Sequence, residues 1–176
     1  HATRAAAKEG YVPGGGVDFV GRTVAQKLTE TWGSPVIVEN RPGAGTNIGS
    51  ELVARSAPDG YTLLVGGVPN SVNMTLYKKL PYDPARDFSS ITLMYESPLY
   101  LLVHPDAPAK SVKELIALAK ARPGALNYGS SGVGTANHLA VELFKSMAGI
   151  DIAHIPYKGG GPSLIALLGN EVQLMF

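Results

Sequence analysis

The residues best placed to do chemistry are Gly129-Ser130-Ser131-Gly132-Val133-Gly134-Thr135-Ala136-Asn137-His138-Leu139. An extended stretch, Ala125-Leu126-Asn127-Tyr128, runs into this glycine and hydroxyl loop. A helix follows, with Leu139, Leu143 and Phe144 on one face at helical spacing. Strand, Gly/Ser loop and helix N-terminus together form an anion-binding geometry. The first-turn amides have no acceptor within the helix, and the macrodipole places about half a positive charge there. Ser130, Ser131 and Thr135 add hydroxyl donors, with Gly132 and Gly134 between them. The pattern predicts one jaw of a site for a small anion, in particular a carboxylate. The plainer reading is a βα turn capped by Ser or Thr and tightened by Gly. His138 falls in the first turn, where the dipole disfavours its charged form. A neutral imidazole there either donates to a ligand or is a half-buried polar residue on the loop side of the helix.

A second glycine loop, Tyr11-Val12-Pro13-Gly14-Gly15-Gly16-Val17-Asp18, opens another helix and is a second candidate cradle. Asp18 is most simply a cap and dipole partner. Turned toward a ligand, it would repel an anion and suit an ammonium group. A third loop, Gly66-Gly67-Val68-Pro69-Asn70-Ser71, also leads into a helix. Lys158, beside Gly159-Gly160-Gly161, either holds an anion or is a solvated turn residue. Neither major glycine loop contains Arg, so a carboxylate held by amides and hydroxyls is favoured over phosphate. Charge-assisted hydrogen bonds contribute roughly 1.5–3 kcal/mol each. Four of them, less the cost of association, suffice for the ~8 kcal/mol of micromolar binding.

Other chemistries lack their residues. Gly132-Val133-Gly134-Thr135-Ala136-Asn137 is a dinucleotide fingerprint without its third glycine, and the phosphate-loop pattern is absent. Val133 breaks a Gly-x-Ser-x-Gly elbow. His1, His104, His138 and His154 show no metal-ligand spacing, and no carboxylate pair suggests acid–base work. With no cysteine in the chain, a thiol nucleophile, a disulfide framework and a Cys-ligated metal are excluded. A net charge of +1 without a basic stripe gives nucleic-acid binding no support. No apolar run approaches the ~18 residues of a membrane span. No secretory signal is visible, and a mature exported protein would have lost one. At 45% apolar, the 176 residues can bury a core as one domain or two small ones.

The elements that position these loops are read as follows. Residues 1–10 look helical or unstructured and carry no strand pattern. A helix runs to about Trp32, its apolar positions Phe19, Val20, Val24 and Leu28 keeping a 3.6-residue period. Pro35 to Asn40 is a strand, Ile48 to about Ser56 a helix, and Tyr61 to Val65 a strand behind the turn Ala57-Pro58-Asp59-Gly60. A short helix reaches about Leu80. Repeated β-loop-α units imply a mostly parallel sheet, with ligands bound beyond the carboxyl ends of its strands. The pattern then changes to consecutive strands, Ile91 to Tyr95 and Leu99 to Val103, which places a domain boundary near Glu96 to Tyr100. Ser111-Val112-Lys113-Glu114 is a capping box opening a helix to about Ala121. After the loop at 129–135 and its helix come a strand at Ile152 to Ile155, a helix from Pro162 to Leu168, and a strand starting at Val172.

Six stretches resemble the Bug or TctC family, the periplasmic solute receptors of tripartite tricarboxylate transporters. They are Pro13-Gly14-Gly15-Gly16-Val17-Asp18, Val36 to Gly49, Ala57-Pro58-Asp59-Gly60-Tyr61-Thr62-Leu63, Leu80-Pro81-Tyr82-Asp83-Pro84, Gly129 to Thr135 with His138-Leu139, and Pro156-Tyr157-Lys158-Gly159. The resemblance implies an α/β, two-lobed fold like the type II periplasmic binding proteins, with lobe one at residues 1–98 and lobe two at 99–176. The family carries an apolar strand before its Pro-Gly-Gly loop and continues beyond Phe176. The fold is therefore expected to be incomplete at both ends, with the first strand atypical or missing.

The resemblance also implies a ligand held in the cleft between lobes, pinched by two loops through backbone amides and waters. Carried onto this chain, the candidate site residues are Tyr11, Gly14, Gly15, Gly16, Val17, Asp18, Val68, Asn70, Ser71, Ser130, Ser131, Gly132, Gly134, Thr135 and His138. The expected ligand is a small organic carboxylate: a di- or tricarboxylate, an acidic amino acid or an aromatic acid. The expected partner is a membrane permease, with periplasmic localisation, no cofactor or metal, no nucleic acid, and a monomer when complete. The alternatives are a ligand-sensing receptor for a signalling partner and a hydrolase using Ser131 and His138.

Overall fold

The computed structural model describes residues 5–176, and within them one topology occurs twice. The chain divides into two compact units, His1–Glu96 and Ser97–Phe176. In the first, strand β1 (Ala5–Glu9) leads through helix α1 (Gly16–Trp32) to β2 (Val36–Asn40), then through α2 (Asn47–Ala54) to β3 (Thr62–Val65). Helix α3 (Val68–Leu76) follows. The sheet order is β2-β1-β3, all parallel. In the second unit, β4 (Leu102–Val103) and α4 (Val112–Ala121) precede β5 (Asn127–Ser130), α5 (Ala136–Ala148), β6 (Ala153–Pro156), α6 (Gly160–Leu168) and β7 (Leu174–Met175). Here the order is β4-β7-β5-β6, with β4 antiparallel to β7 and β5 parallel to both of its neighbours. In each unit the chain goes to one side of its first parallel strand and then crosses to the other. The loops after β1 and β5 thus both leave a point where strand order reverses, which is where open α/β sheets bind ligands.

The strand β1 corrects the expectation that residues 1–10 are helical or unstructured, and of the two alternatives for the first strand, atypical or missing, it is the atypical one; residues 1–4 lie outside the described residues. Its sequence, Ala-Ala-Ala-Lys-Glu, has the composition of a helix. Pairing on both edges overrides that propensity, in register from Ala5 opposite Val36 to Glu9 opposite Asn40 and from Ala6 opposite Thr62 to Glu9 opposite Val65. Burial alternates along it, with Ala5, Ala7 and Glu9 inside. The expected strand at Ile91 to Tyr95 does not form, and of Leu99 to Val103 only β4 does. Ile91 and Leu93 are exposed, because alternating apolar residues make a strand only where a partner edge exists.

Two helices bury faces offset from the periodicity. Helix α1 buries Asp18, Gly21 and Ala25 and exposes Phe19. Gly21 lies so close to the sheet that a Cβ there would strike the Glu9 carboxyl group. Helix α5 buries Val141 and exposes Leu143. Helix α4 starts as expected, with the Glu114 amide donating to the Ser111 hydroxyl at 3.2 Å. The core of the second unit is built on Leu115, Tyr128, Val141, Ile152 and Leu174, and that of the first on the smaller Ala5, Ala7, Ala25, Val36 and Val65.

Candidate functional site: two glycine cradles

The first cradle follows β1. Helix α1 is capped by Gly15, which has no side chain to bond the first-turn amides. Among the described residues, the amides of Gly15, Gly16 and Val17 have no acceptor. The loop is held from behind by Asp18, a buried side chain. Its Oδ2 accepts from the Gly14 amide at 2.9 Å and from Arg22 Nε at 3.0 Å, and its Oδ1 accepts from Asn40 Nδ2 at 2.7 Å. The Arg22 bond, with support from Gly14 and Asn40, holds the Asp18 carboxyl down at about 2. Gly14 sits at φ +83°, which a β-carbon would strain. Asp18 therefore shapes the loop with both oxygens and offers neither to a ligand.

The third loop braces the first. Gly67 caps α3, and its amide donates to Asn70 Oδ1 at 2.8 Å. Asn70 Nδ2 donates to Ser50 Oγ at 2.7 Å, so this side chain is engaged within the unit. A methyl group on Gly67 would strike the Tyr11 hydroxyl. Burial, with Tyr95 and Glu9 nearby, pushes that hydroxyl up to about 12. Ser71 and Val68 are exposed.

The second cradle follows β5, and its hydroxyls turn inward. Thr135 caps α5 without a side-chain bond; its hydroxyl donates to the Gly132 carbonyl at 2.7 Å instead. The Ser131 hydroxyl donates to Asn137 Oδ1 at 2.8 Å. The Gly132 amide donates to Ser130 Oγ at 3.2 Å, and the Gly134 amide to His138 Nδ1 at 3.3 Å. Ser130, fully buried, lies 2.7 Å from His154 Nε2. What remains for a ligand is backbone: the amides of Ser131, Val133, Ala136 and Asn137 have no acceptor among the described residues. Gly132 adopts φ +129°.

Behind this loop three rings stack. Tyr128 faces His154 across the β5–β6 register, with centroids 4.6 Å apart, and His154 lies 4.4 Å from His138. Tyr128 and Ser130 share a face of β5, two residues apart, so one imidazole serves both. Burial first, then the neighbouring His138, lowers His154 to about 4, and burial also lowers His138. The Tyr128 hydroxyl donates to Glu142 Oε1 at 2.6 Å, which Lys145 also reaches at 2.8 Å.

Each unit thus gathers its own candidates. Tyr11 to Asp18 and Val68 to Ser71 lie in the first, and Ser130 to His138 in the second. Three groups that fix the loops have no signature in the sequence: Asn40, Tyr128 and His154. Arg22 was missed as well, although its place four residues after Asp18 on one helix face is a signal that could have found it. Two grooves of the first unit, of about 360 and 480 Å³, are lined by residues outside both loops, near Ile37 and near Trp32. Among the described residues no cluster of His, Asp and Glu could hold a metal ion, and no helix is long and apolar enough to cross a membrane.

Residues 20–176 match the family model described as the tripartite tricarboxylate transporter family receptor. A UPF0065 protein of Bordetella pertussis is 42% identical over 169 residues, covering 94% of this chain and 51% of the relative. Protein BugT of the same organism is 40% identical, covering 92% and 50%. The chain thus spans about half the length of these relatives. Among solved structures, R. palustris Rpa4515 with adipate superposes with a TM-score of 0.93 at 36% identity, covering 98% of this chain and 58% of that one. MatC of Rhodopseudomonas palustris with bound malate gives 0.87 at 29% identity, covering 99% and 60%.

Proposed function

Since this chain belongs to the tripartite tricarboxylate transporter receptor family, a family of binding receptors and not of enzymes, we propose that it captures a small organic carboxylate on the amides of its two glycine loops. In this reading it works in the periplasm and delivers the ligand to a tripartite transporter permease. The observation that carries the reading is the inward turn of the loop side chains. Asp18, Ser131 and Thr135 all bond within the protein, which leaves neutral amides at two helix N-termini. Such amides suit a carboxylate, supplying hydrogen bonds and the positive end of a dipole without a fixed counter-ion. Adipate and malate, the acids in the two R. palustris structures, are both dicarboxylates. A short dicarboxylate is accordingly the first choice here.

Titration calorimetry against adipate, malate, a tricarboxylate, an acidic amino acid and an aromatic acid tests the reading. Micromolar or tighter binding of at least one, with the acid recovered unchanged, is expected. Chemical conversion of the acid, or binding of none of the five, would overturn it.

A further inference from the structure

Glu9 is a buried carboxyl that the cradle as described does not use. It ends the central strand β1, immediately before the first glycine loop, and is fully buried. Its Oε2 accepts from Asn40 Nδ2 at 3.3 Å. Its Oε1, equally buried, has no hydrogen-bond partner among the described residues and lies under α1 against Gly21. The same Asn40 nitrogen donates to Asp18 Oδ1 at 2.7 Å and to the Tyr11 carbonyl at 3.3 Å. Asp18 in turn holds the Gly14 amide. One shared donor therefore separates the Glu9 carboxyl from the group that shapes the anion loop.

The surroundings make a second negative charge costly. The charged or titratable groups facing Glu9 are Asp18 and Arg22 of α1 and Tyr11 of the loop. Arg22 already contacts both Asp18 oxygens, at 3.0 and 2.9 Å. Strand β2 offers the Asn40 amide, while β3 and α2 offer Val65 and the close backbone of Gly49, which carry no charge. A proton on the partnerless oxygen removes the charge that this pocket does not neutralise.

We propose that the first cradle binds its anion with Glu9 in the neutral form, so that capture of a carboxylate is coupled to a proton held at Glu9. Ionised Glu9 would set a buried negative charge directly behind the loop, competing for Asn40 and opposing the incoming anion. Burial and the Asp18 charge push the Glu9 carboxyl up to about 7, which puts the change within the range of ordinary media. By linkage, an anion that binds the neutral form better draws a proton from solvent when it binds near that pH. The inference rests on the carboxylate-receptor reading, and its test has an arm that needs no ligand.

In the ligand-free protein, carbon-13 NMR of the glutamate carboxyl groups should find one group titrating near neutrality. That signal should be absent from Glu9→Gln, and the Gly14 amide should shift with it. A Glu9 that titrates in the ordinary carboxylate range, or a Gly14 amide that does not follow, overturns the proposal whatever the protein binds. The second arm is calorimetry with adipate and malate from pH 5.5 to 8.5, in buffers of different ionisation enthalpy. The native protein should lose about tenfold in affinity across that range and take up a fraction of a proton near pH 7. Glu9→Gln should bind with the acid-side affinity throughout. An equal pH slope in both proteins overturns the coupling while leaving the receptor reading intact. Expected titration of Glu9 with no binding of either acid, or of the tricarboxylate, the acidic amino acid or the aromatic acid, at any pH overturns both.

Discussion

Ionised groups hold the first glycine loop in shape: Asp18 gathers Gly14, Arg22 and Asn40, with a second carboxyl, Glu9, buried beside it. Neutral groups hold the second, where Ser130 and Thr135 tie Gly132 and a low-pKa histidine pair stands behind. Both solutions present open amides at a helix N-terminus after the first parallel strand of a sheet. They differ in what disturbs them. A charged brace is strong while all its partners are present and fails badly when one is removed. A neutral brace is worth less per bond and is more forgiving.

The largest expected effect tests that asymmetry. Asp18→Ala strands Arg22, Asn40 and the Gly14 amide and should destabilise the first unit by about 3 kcal/mol. Ser130→Ala should cost the second unit about 1 kcal/mol. Urea denaturation followed by unit-specific probes measures both, and equal losses would erase the distinction. Next come the glycines. Gly15→Val and Gly132→Val should each weaken carboxylate binding at least a hundredfold, about 2.7 kcal/mol, by blocking approach to the amides. Their melting temperatures should separate them. A Cβ on Gly15 meets nothing closer than 3.7 Å, while Gly132 is held at φ +129°. Only Gly132→Val should lower Tm.

The response to pH sharpens the contrast further, because the two units should move in opposite directions. Glu9 is raised from 4.5 to about 7, so its contribution is fully present below 4.5 and is lost as pH rises through 7. His154 is lowered from 6.5 to about 4, so its contribution is present above 6.5 and is lost as pH falls toward 4. Asp18, lowered from 3.8 to about 2, keeps its contribution above 3.8 and adds nothing to the change at higher pH. Acidification from pH 7 to 5 should therefore raise amide protection factors, corrected for the intrinsic pH dependence of exchange, in the β1 sheet and lower them in the β5 sheet. Matching slopes in the two sheets would refute this. The smallest effect belongs to the nearby cations. Lys158→Ala or Arg41→Ala should change binding less than tenfold, about 1.4 kcal/mol, because both are exposed and Arg41 bonds Glu39 at 3.2 Å. A larger loss in the calorimeter would mean that a cation, not the amides, anchors the acid.

Much of the scaffold was legible because it is local. Glycine triplets, the Ser111 cap with Glu114 three residues on, and helical or alternating apolar periods each act within one turn or one strand. They mark loops, helix starts and most strands to within a few residues. The first strand was illegible for the same reason. Three alanines, a lysine and a glutamate favour a helix locally, and only two flanking strands make them the centre of a sheet. The strand expected at Ile91 to Tyr95 fails in reverse, with a favourable pattern and no edge to join.

By itself the sequence determined the family, the repeated β-loop-α order and the two glycine loops, since these depend on neighbours within a few residues. The tertiary structure alone decided which side chains those loops would lean on. Glu9 meets Asn40 across 31 residues because parallel register sets two strand ends side by side, and Ser130 meets His154 across 24 because register sets His154 opposite Tyr128, two residues before Ser130 on the same face. No spacing in the chain encodes such a meeting. It exists only after hydrogen bonding has fixed the register and burial has removed the water that would otherwise satisfy each group alone.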